Sequence, residues 1–412
     1  MDSSPTLVVR NALLSGNDAA VDIAVDDGRI AAIHSEIDVE GETELDAEGN
    51  LVSPGLVDAH VHLDMAFSAS GDRRPRYNEG GANWAETIER TATYFAEADH
   101  DELVANARRA ADQAIANGVL HLRTHAYVDG TVGTDVVEAV STVRETVGNR
   151  LDIEIVAFPQ CGVRRDDGSA EAVRAAIDAG ADLVGGLDPA TLNGDREETI
   201  ATWFDIATDY DTDIDVHIHE RGATGMRTLR RLAEATIEHD YENRVTASHA
   251  YALGDAASDQ ASNWEGRLGD AMETFAAADL DFITCYQSTP RGMPIRRFHD
   301  AGLTMAHGTD QVHDLWGAHG NVDALEAMLV ESLKLDGYST NQGLGSLWNL
   351  ITEQGGTLLG LDGYALAEGT PANLVVHHDP SPQWAITTNR TPRYVVSSGG
   401  IVTNDGSRST GA

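Results

Sequence analysis

Three side chains that can bind a metal or transfer a proton lie on alternate residues early in the chain. Asp58, His60 and His62 follow a Ser-Pro-Gly turn in the segment SPGLVDAHVHLDM. In an extended strand alternate residues share a face, so the two imidazoles occupy positions that apolar core side chains would normally fill. A single His-x-His pair is also typical of two hydrogen-bonded histidines, so a metal site here depends on partners elsewhere in the chain.

Further metal-type residues end three other predicted strands. The segment TDIDVHIHE carries His217, RVTASHA carries His249, and TMAHGTD carries Asp310. Histidine nitrogens with one carboxylate suit Zn or Fe(II), and such a set leaves a coordination position for a water whose pKa the metal lowers into the physiological range. We therefore expect His60, His62, His217 and Asp310 to bind one divalent metal per chain.

Residues beside these predicted ligands are candidates for proton transfer. Glu220, three residues after His217, can relay a proton from the water to a ring nitrogen and then to the departing amine; the alternative is an ordinary loop acid. We interpret His249 as a base or a partner of the water, with a fifth ligand and a structural core histidine as alternatives. His219 is a contact of the substrate, a contact that supports a metal ligand, or a residue without a role. Glu220, His249 and the ligand Asp310 form the predicted catalytic set.

The elements that must position these residues form a repeating pattern. From residue 53 to about 362, short apolar strands alternate with helical stretches, and eight such units are the signature of a (β/α)8 TIM-like barrel of the α/β class. The helical stretch at 97–117, for example, is stopped by Gly118. Because the active sites of such barrels lie at the C-terminal ends of the strands, the strand-end histidines and Asp310 are expected to converge.

A second, smaller domain is predicted from the two ends of the chain. Residues 1–52 contain short β signals separated by turns such as Asp27-Gly28, and residues 363–412 contain similar strands followed by a polar tail. We expect the two segments to combine as one small β-sandwich domain, with the barrel occupying residues 53–362.

Composition argues against several classes of function. A net charge of -39 would repel nucleic acid. No apolar run approaches the length of a membrane span, and the N-terminus has no basic or long apolar region, so we expect a cytoplasmic protein without a membrane anchor. The two cysteines, Cys161 and Cys285, are too few for a disulfide framework, and they do not form the Pro-Cys-x-x-Cys loop of one zinc-deaminase fold.

Seven segments together resemble the amidohydrolase superfamily. In chain order they are SPGLVDAHVHLD, AFPQCG, DLVGGLDPAT, IDVHIHE, RVTASHA, GTDQVHDLW and GTPANLVV, and the match runs from about residue 6 to 402 at the family's spacing. Within the superfamily the chain is similar to cytosine deaminases and, more closely, to the N-isopropylammelide isopropylaminohydrolases of triazine breakdown. The resemblance implies a mononuclear metal at the four predicted ligands, with His249 orienting the water.

The resemblance also implies residues that contact a substrate. Gln160, at the end of the third strand, would hold the oxo-amino edge of a planar heterocycle, and Trp316 would help to wall the pocket. We expect His219 and Asp188, which begins the loop after the fourth strand, to lie near the same ring.

Three positions depart from the pattern of one relative or the other. Met65 stands where the ammelide enzyme has a Lys, so a cation that would face an oxo-triazine is missing. Glu220 matches the cytosine deaminases, whereas the ammelide enzyme has an Asp there. Gln311 stands where cytosine deaminases place a second Asp. Met65 and Gln311 are included among the predicted substrate contacts.

The sequence predicts a metal-dependent hydrolase that cleaves an exocyclic carbon-nitrogen bond of a small heterocyclic substrate. Our main interpretation is a cytosine deaminase-like aminohydrolase, and the alternative is alkylamine release from a triazine, as in the N-isopropylammelide enzymes. A cyclic-amide hydrolase usually bridges two metals with a carboxylated lysine, but the single lysine, Lys334, lies far beyond the fourth strand. The intact ligands count against a non-enzymatic scaffold, and the chain could form a homo-oligomer.

The acidic composition predicts that stability depends on salt. A net charge of -39 with one lysine produces self-repulsion in the folded state, which molar salt screens. We expect the melting temperature and the activity to fall on transfer from molar salt to low-salt buffer, as followed by circular dichroism and a turnover assay. An unchanged melting temperature with full activity in low salt would contradict a salt-adapted surface and would favour a surface that binds a partner.

Overall fold

Two sheets organise the chain, which the computed structural model describes over residues 4–69, 84–165, 167–258, 264–287, 292–404 and 407–408. One sheet has eight strands and the other has nine. The first five strands belong to the nine-stranded sheet. They are β1 (Leu7–Leu14), β2 (Val21–Asp26), β3 (Arg29–His34), β4 (Thr43–Asp46) and β5 (Leu51–Pro54).

The eight strands of the barrel follow, and each is parallel to its neighbours. They are β6 (Leu56–Val61), β7 (Val119–Tyr127), β8 (Asp152–Phe158), β9 (Leu183–Leu187), β10 (Asp213–His217), β11 (Val245–Ser248), β12 (Asp281–Cys285) and β13 (Met305–Gly308). Neighbours in the sheet are also consecutive in the chain. The predicted (β/α)8 barrel and its eight strands are therefore confirmed.

Helices connect these strands and cover the outside of the barrel. The described α-helices are α1 (Trp84–Glu97), α2 (His100–Ala116), α3 (Asp135–Val147), α4 (Ser169–Asp178), α5 (Arg196–Tyr210), α6 (Gly222–Glu238), α7 (Tyr251–Ser258), α8 (Trp264–Ala277), α9 (Ile295–Asp300), α10 (Ala324–Lys334), α11 (Asn341–Leu350), α12 (Glu353–Leu358) and α13 (Pro382–Thr388). Helix α2 ends just before Gly118, whose φ of +82° lets the chain turn into β7. Across the described ranges, no helix combines the length and the apolar character needed to cross a membrane.

The glycines of β9 show how the helices approach the barrel. Trp203 of α5 is fully buried against this strand. A Cβ atom at Gly186 would lie 2.3 Å from the Trp203 indole, and one at Gly185 would lie 2.4 Å from the Ala157 carbonyl oxygen. Only glycine leaves room for this packing, which explains the Gly-Gly pair within an otherwise apolar strand.

The last four strands complete the nine-stranded sheet, so the two ends of the chain form one small domain as predicted. They are β14 (Leu374–Val376), β15 (Tyr394–Ser397), β16 (Gly400–Asn404) and β17 (Ser407–Arg408). Strand β14 pairs with β5, and β5 in turn pairs with β1. The chain passes from this sheet to the barrel at Gly55, between β5 and β6, two residues beyond the predicted boundary at 52/53.

The small domain is one continuous curled sheet, where the sequence suggested a sandwich of strands. The long strand β1 joins its two halves, because Leu7 to Arg10 pair with β4 and Leu13 and Leu14 pair with β5. Between these segments the pairing of β1 with β2 shifts register, and Asn11 has a φ of +53°. The bulge bends the strand, and side chains from both halves pack into one apolar cluster.

The barrel closes where its first and last strands meet. The Asp310 N–H donates to the His60 carbonyl oxygen, and the His62 N–H donates to the Asp310 carbonyl oxygen, each at 2.8 Å. The buried Asp58 carboxylate accepts hydrogen bonds from the Thr309 N–H at 2.9 Å and from the Thr309 hydroxyl at 2.6 Å. Backbone and side-chain bonds therefore hold β6 and β13 together at the end of the barrel that carries the predicted ligands.

Candidate active site

The four predicted metal ligands converge at the C-terminal end of the barrel. His60 lies on β6, His62 directly follows that strand, His217 ends β10, and Asp310 follows β13. The His62 Nε2 atom is 3.3 Å from the His217 Nε2 atom. The Asp310 Oδ1 atom is 3.8 Å from Nε2 of both His60 and His62. The strand-end arrangement thus places these three imidazoles and the carboxylate around one point.

The donor atoms fit a divalent metal. Ligand atoms on a tetrahedral ion with bonds of about 2.1 Å lie about 3.4 Å apart, which is close to the 3.3 and 3.8 Å separations. The Nε2 atom of His60 is buried and has no hydrogen-bond partner among the described residues. Burial, with further effects of neighbouring histidines, lowers the pKa of His60 and His217 well below the usual range. Both rings are therefore neutral, which is the form that binds metals.

Asp310 is the acidic member of the cluster. Burial raises the pKa of its carboxyl to about 6, although the nearby His62 opposes this shift. Most of the Asp310 population is therefore ionised at neutral pH and can contribute a negative charge to a bound cation.

His125 belongs to the same cluster, although sequence reasoning did not select it. It lies on β7, and its Nε2 atom is 2.9 Å from the Nδ1 atom of His60. His125, His60 and His217 also form one of the groups whose donor atoms are close enough to hold a metal. The signal was available, because the segment GVLHLRTH places His125 near a strand end, as in the strands that supplied His217 and His249.

His249 lies beside the predicted ligands. It directly follows β11 and has a φ of +66°, so the chain turns sharply there. Its ring centroid is 4.8 Å from that of His60, 5.0 Å from that of His217 and 4.4 Å from that of His219. Burial lowers its pKa well below the usual range. A neutral imidazole at this position can accept a hydrogen bond from a group held by the cluster and so orient that group.

Glu220 is buried close to the cluster, but its carboxylate faces a neighbouring loop. Oε1 accepts hydrogen bonds from the N–H groups of Ala190 and Thr191, each at 2.8 Å. The hydroxyl of Thr228 on α6 donates to Oε2. Asp188 completes the connection, because its Oδ1 accepts from the Glu220 N–H at 3.1 Å and from the preceding N–H at 2.7 Å. The two acidic side chains thus fasten the loops after β9 and β10 to each other.

The Asp188 side chain is buried in this connection between the loops. Burial, followed by the negative charge of Glu220, raises the pKa of Asp188 to about 7. Neither Asp188 nor Glu220 lines the cavity next to the ligands. The structure therefore brings both residues to the edge of the site and directs their carboxylates into the loops.

A cavity of about 180 Å³ opens onto the ligand cluster. Ligand pockets for drug-sized molecules usually measure about 300–1,000 Å³, so this space suits a small ring. His62, His217, His249 and Asp310 reach it from the barrel. Of the predicted substrate contacts, those that line the cavity are Met65, Gln160, His219, Gln311 and Trp316.

Four further lining residues were not predicted. Phe158 and Leu187 end strands β8 and β9, Tyr251 begins α7, and Trp84 begins α1. Phe158 stacks on the ring of His217 with centroids 4.2 Å apart. Phe158 could have been recognised from its place two residues before Gln160, whereas no local pattern marked Trp84. The cavity walls are consequently more aromatic than the sequence analysis indicated.

The position of Trp316 in the wall is fixed by hydrogen bonds. Its indole N–H donates to the hydroxyl of Thr91 on α1 at 3.0 Å. Its main-chain N–H donates to the Asp314 carboxylate at 2.8 Å, and the same carboxylate accepts from Val312 and Gly317. Burial raises the pKa of Asp314 to about 7. Helix α1 and the loop after β13 therefore hold the indole between them.

The chain belongs to the amidohydrolase family, whose sequence profile matches residues 43–403. It is an enzyme of the class that hydrolyses carbon-nitrogen bonds. The N-isopropylammelide isopropyl amidohydrolase of Pseudomonas sp. (strain ADP) is 38% identical over 400 residues, which cover 97% of each chain.

Solved structures show the same fold. N-isopropylammelide isopropylaminohydrolase from Burkholderia multivorans ATCC 17616 gives a TM-score of 0.88 with 29% identity, covering 98% of this chain and 99% of that one. A 5-methylcytosine deaminase from Klebsiella pneumoniae, liganded with phosphonocytosine, gives a TM-score of 0.85 with 24% identity, covering 96% and 98%. The second likeness concerns the fold alone.

The geometry predicts one metal ion per chain. We expect elemental analysis to find close to one equivalent of a divalent metal, and we expect His217→Ala and Asp310→Asn to lose most of it, because each removes a donor from the cluster. The exposed residue His299 on α9 provides a control, since His299→Ala should keep full occupancy. Two equivalents per chain, or a full equivalent in the His217→Ala protein, would contradict a mononuclear site.

Proposed function

We propose that this chain removes an exocyclic amino group from a neutral nitrogen heterocycle of the cytosine class. In the net reaction water adds at a ring carbon, the carbon-nitrogen bond to the amino group breaks, and ammonia leaves as the carbon acquires an oxo group. The observation that carries the proposal is the chemistry of the cavity wall. None of the described residues that line the cavity is Lys or Arg.

Gln160 is the main polar group available to orient such a ring. It is buried, and its Oε1 atom has no hydrogen-bond partner among the described residues. Leaving a buried acceptor unpaired costs about 1–3 kcal/mol, so a ligand N–H at this place would be favoured. A side-chain amide can accept from a ring or amino N–H through Oε1 and donate to an oxo group through Nε2. Cytosine presents both kinds of group.

Apolar and aromatic side chains would hold the flat faces of the ring. Phe158, Trp316 and Met65 line the same cavity as Gln160. Met65 is almost fully buried, so this part of the wall has no charge to balance an oxyanion. A neutral pyrimidine would lose little solvation free energy on binding against such a wall. An anionic ring would lose its hydration there without a compensating charge.

A divalent metal held by His60, His62, His217 and Asp310 would supply an activated water. His249 lies beside these residues with a neutral ring and would orient the attacking group by accepting a hydrogen bond from it. We assign the transfer of a proton to the ring nitrogen to Glu220. To do this, its side chain must leave the N–H groups of the 190–191 loop and turn toward His219, which lines the cavity.

The role of Glu220 predicts a separable effect of its substitution. Glu220→Gln should keep the fold and the metal while losing turnover by roughly 100-fold or more, because an amide cannot carry the proton. Thr228→Val removes the hydroxyl that binds Glu220 but leaves the carboxylate, and we expect a much smaller loss. Turnover and metal content would be measured on the same preparations.

Two outcomes would contradict this assignment. If Glu220→Gln loses activity only in proportion to its metal content, Glu220 is a structural acid. If Glu220→Gln remains active while His219→Asn is inactive with its metal retained, the proton passes through His219.

A second candidate is the release of an alkylamine from a triazine. It is favoured by the 38% identity with the Pseudomonas N-isopropylammelide enzyme over nearly the full length of both chains. The same chemistry applies, since only the group on the departing nitrogen differs. Met65 weighs against it, because it is uncharged and the described residues that line the cavity include no Lys or Arg to face the oxo-triazine.

A substrate panel distinguishes the two candidates. The metal-loaded enzyme would be supplied with cytosine, 5-methylcytosine, isoguanine, creatinine, ammelide and N-isopropylammelide, and ammonia and isopropylamine would be quantified. We expect ammonia from a pyrimidine, with higher kcat/KM than for either triazine. Isopropylamine as the sole product would show that the second candidate is the function and that the apolar Met65 side of the wall does not exclude the triazine.

A further inference from the structure

A chain of hydrogen bonds leads from the buried interior of the barrel to His60. Arg123 on β7 is only 4% exposed. Its Nη1 atom donates to Oδ2 of Asp215 at 3.1 Å, and its Nε atom donates to Glu154 at 2.8 Å. The hydroxyl of Ser248 donates to Oδ1 of Asp215 at 2.6 Å. Ser248 Oγ is in turn 3.1 Å from Nδ1 of His60.

The direction of the last bond follows from the others. Both oxygens of Asp215 act as acceptors, because Oδ2 accepts from the Arg123 guanidinium and Oδ1 accepts from the Ser248 hydroxyl. Ser248 therefore donates its single hydroxyl proton to Asp215 and has no proton left to donate to His60. Ser248 Oγ can still accept a hydrogen bond, so the proton between Ser248 and His60 must belong to Nδ1 of His60.

His125 agrees with this direction. Its Nε2 atom also approaches Nδ1 of His60, at 2.9 Å. If His125 donated this proton, Nδ1 of His60 would carry a lone pair that faces the lone pair of Ser248 Oγ at 3.1 Å. If His60 donates, both Ser248 and His125 accept from one N–H. The second arrangement leaves no two lone pairs opposed.

We propose that Ser248, held by Asp215 and Arg123, fixes the tautomer of His60. With the proton on Nδ1, the lone pair lies on Nε2, the atom that has no hydrogen-bond partner among the described residues and faces Asp310. Ser248 is thus a positioning residue that prepares His60 to bind a cation without contacting the cation itself. The inference rests on the metal site used by the proposed function, but it does not depend on the substrate.

The tautomer can be observed directly in the metal-free protein. Histidine labelled with ¹⁵N gives long-range proton-nitrogen correlations that distinguish a ring protonated at Nδ1 from one protonated at Nε2. His60 would be assigned by the loss of its signals in a His60→Asn protein. We expect His60 and His125 both to be protonated at Nδ1. A His60 ring protonated at Nε2 in the unsubstituted protein would overturn the inference, and this result requires no Ser248 variant to fold.

Metal affinity provides the second readout. Competition with a chromophoric chelator for Zn²⁺ should show that Ser248→Ala binds roughly 10- to 100-fold more weakly, the usual effect of losing a partner of a ligating histidine. Ser248→Thr keeps the hydroxyl and should recover most of the affinity. The control is Ser332→Ala, which removes another buried hydroxyl, one whose described hydrogen bond stays within α10, to the Leu329 carbonyl oxygen. Affinity within twofold of the unsubstituted protein in Ser248→Ala would overturn the inference.

These outcomes separate the inference from the proposed function. A protein with the expected tautomer and metal affinities that releases ammonia from none of the panel compounds would contradict the proposed substrate and leave the role of Ser248 intact. A protein that deaminates cytosine but has His60 protonated at Nε2 would contradict the role of Ser248 and leave the proposed substrate intact.

Discussion

The site depends on the backbone hydrogen bonds that close the barrel. His60 and His62 pair through their main chains with Asp310, so three of the four predicted ligands leave the same seam between β6 and β13. Gly308 makes this approach possible, because a Cβ atom there would lie 2.4 Å from the His60 Cβ atom and carbonyl oxygen. The relative positions of these ligands are therefore set by main-chain pairing, and only His217 is brought in from the opposite side of the barrel.

Two kinds of support surround these ligands. Inside the barrel, charged and hydroxyl side chains such as Arg123, Asp215 and Ser248 form bonds that are shielded from solvent, which makes their geometry rigid. At the strand ends, loops are joined by carboxylates that accept main-chain N–H bonds, as with Asp188 and Glu220. The bonds inside the barrel position the ring of the ligand His60. The bonds between the loops hold the edge of the cavity in place.

Much of the fold was predictable, because each barrel strand is a short apolar run in the sequence. In addition, the functional residues of such barrels lie at the C-terminal ends of the strands. The same rule located His217 and Asp310, and it would have located His125 had it been applied to every strand. The direction of the Glu220 carboxylate was not predictable, because it depends on N–H groups of residues 190–191 that are distant in sequence. The continuity of the small sheet was also hidden, since it arises from one bulge near Asn11.

The order in which the chain is synthesised gives the small domain a particular vulnerability. Strand β5 lies between β1 and β14, and the entire barrel is translated between β5 and β14. On the ribosome, β5 therefore presents an unpaired edge throughout the time in which the barrel forms, and such edges invite pairing with other chains. The small domain is completed last, by pairing residues of high sequence separation, which is a slow step in folding.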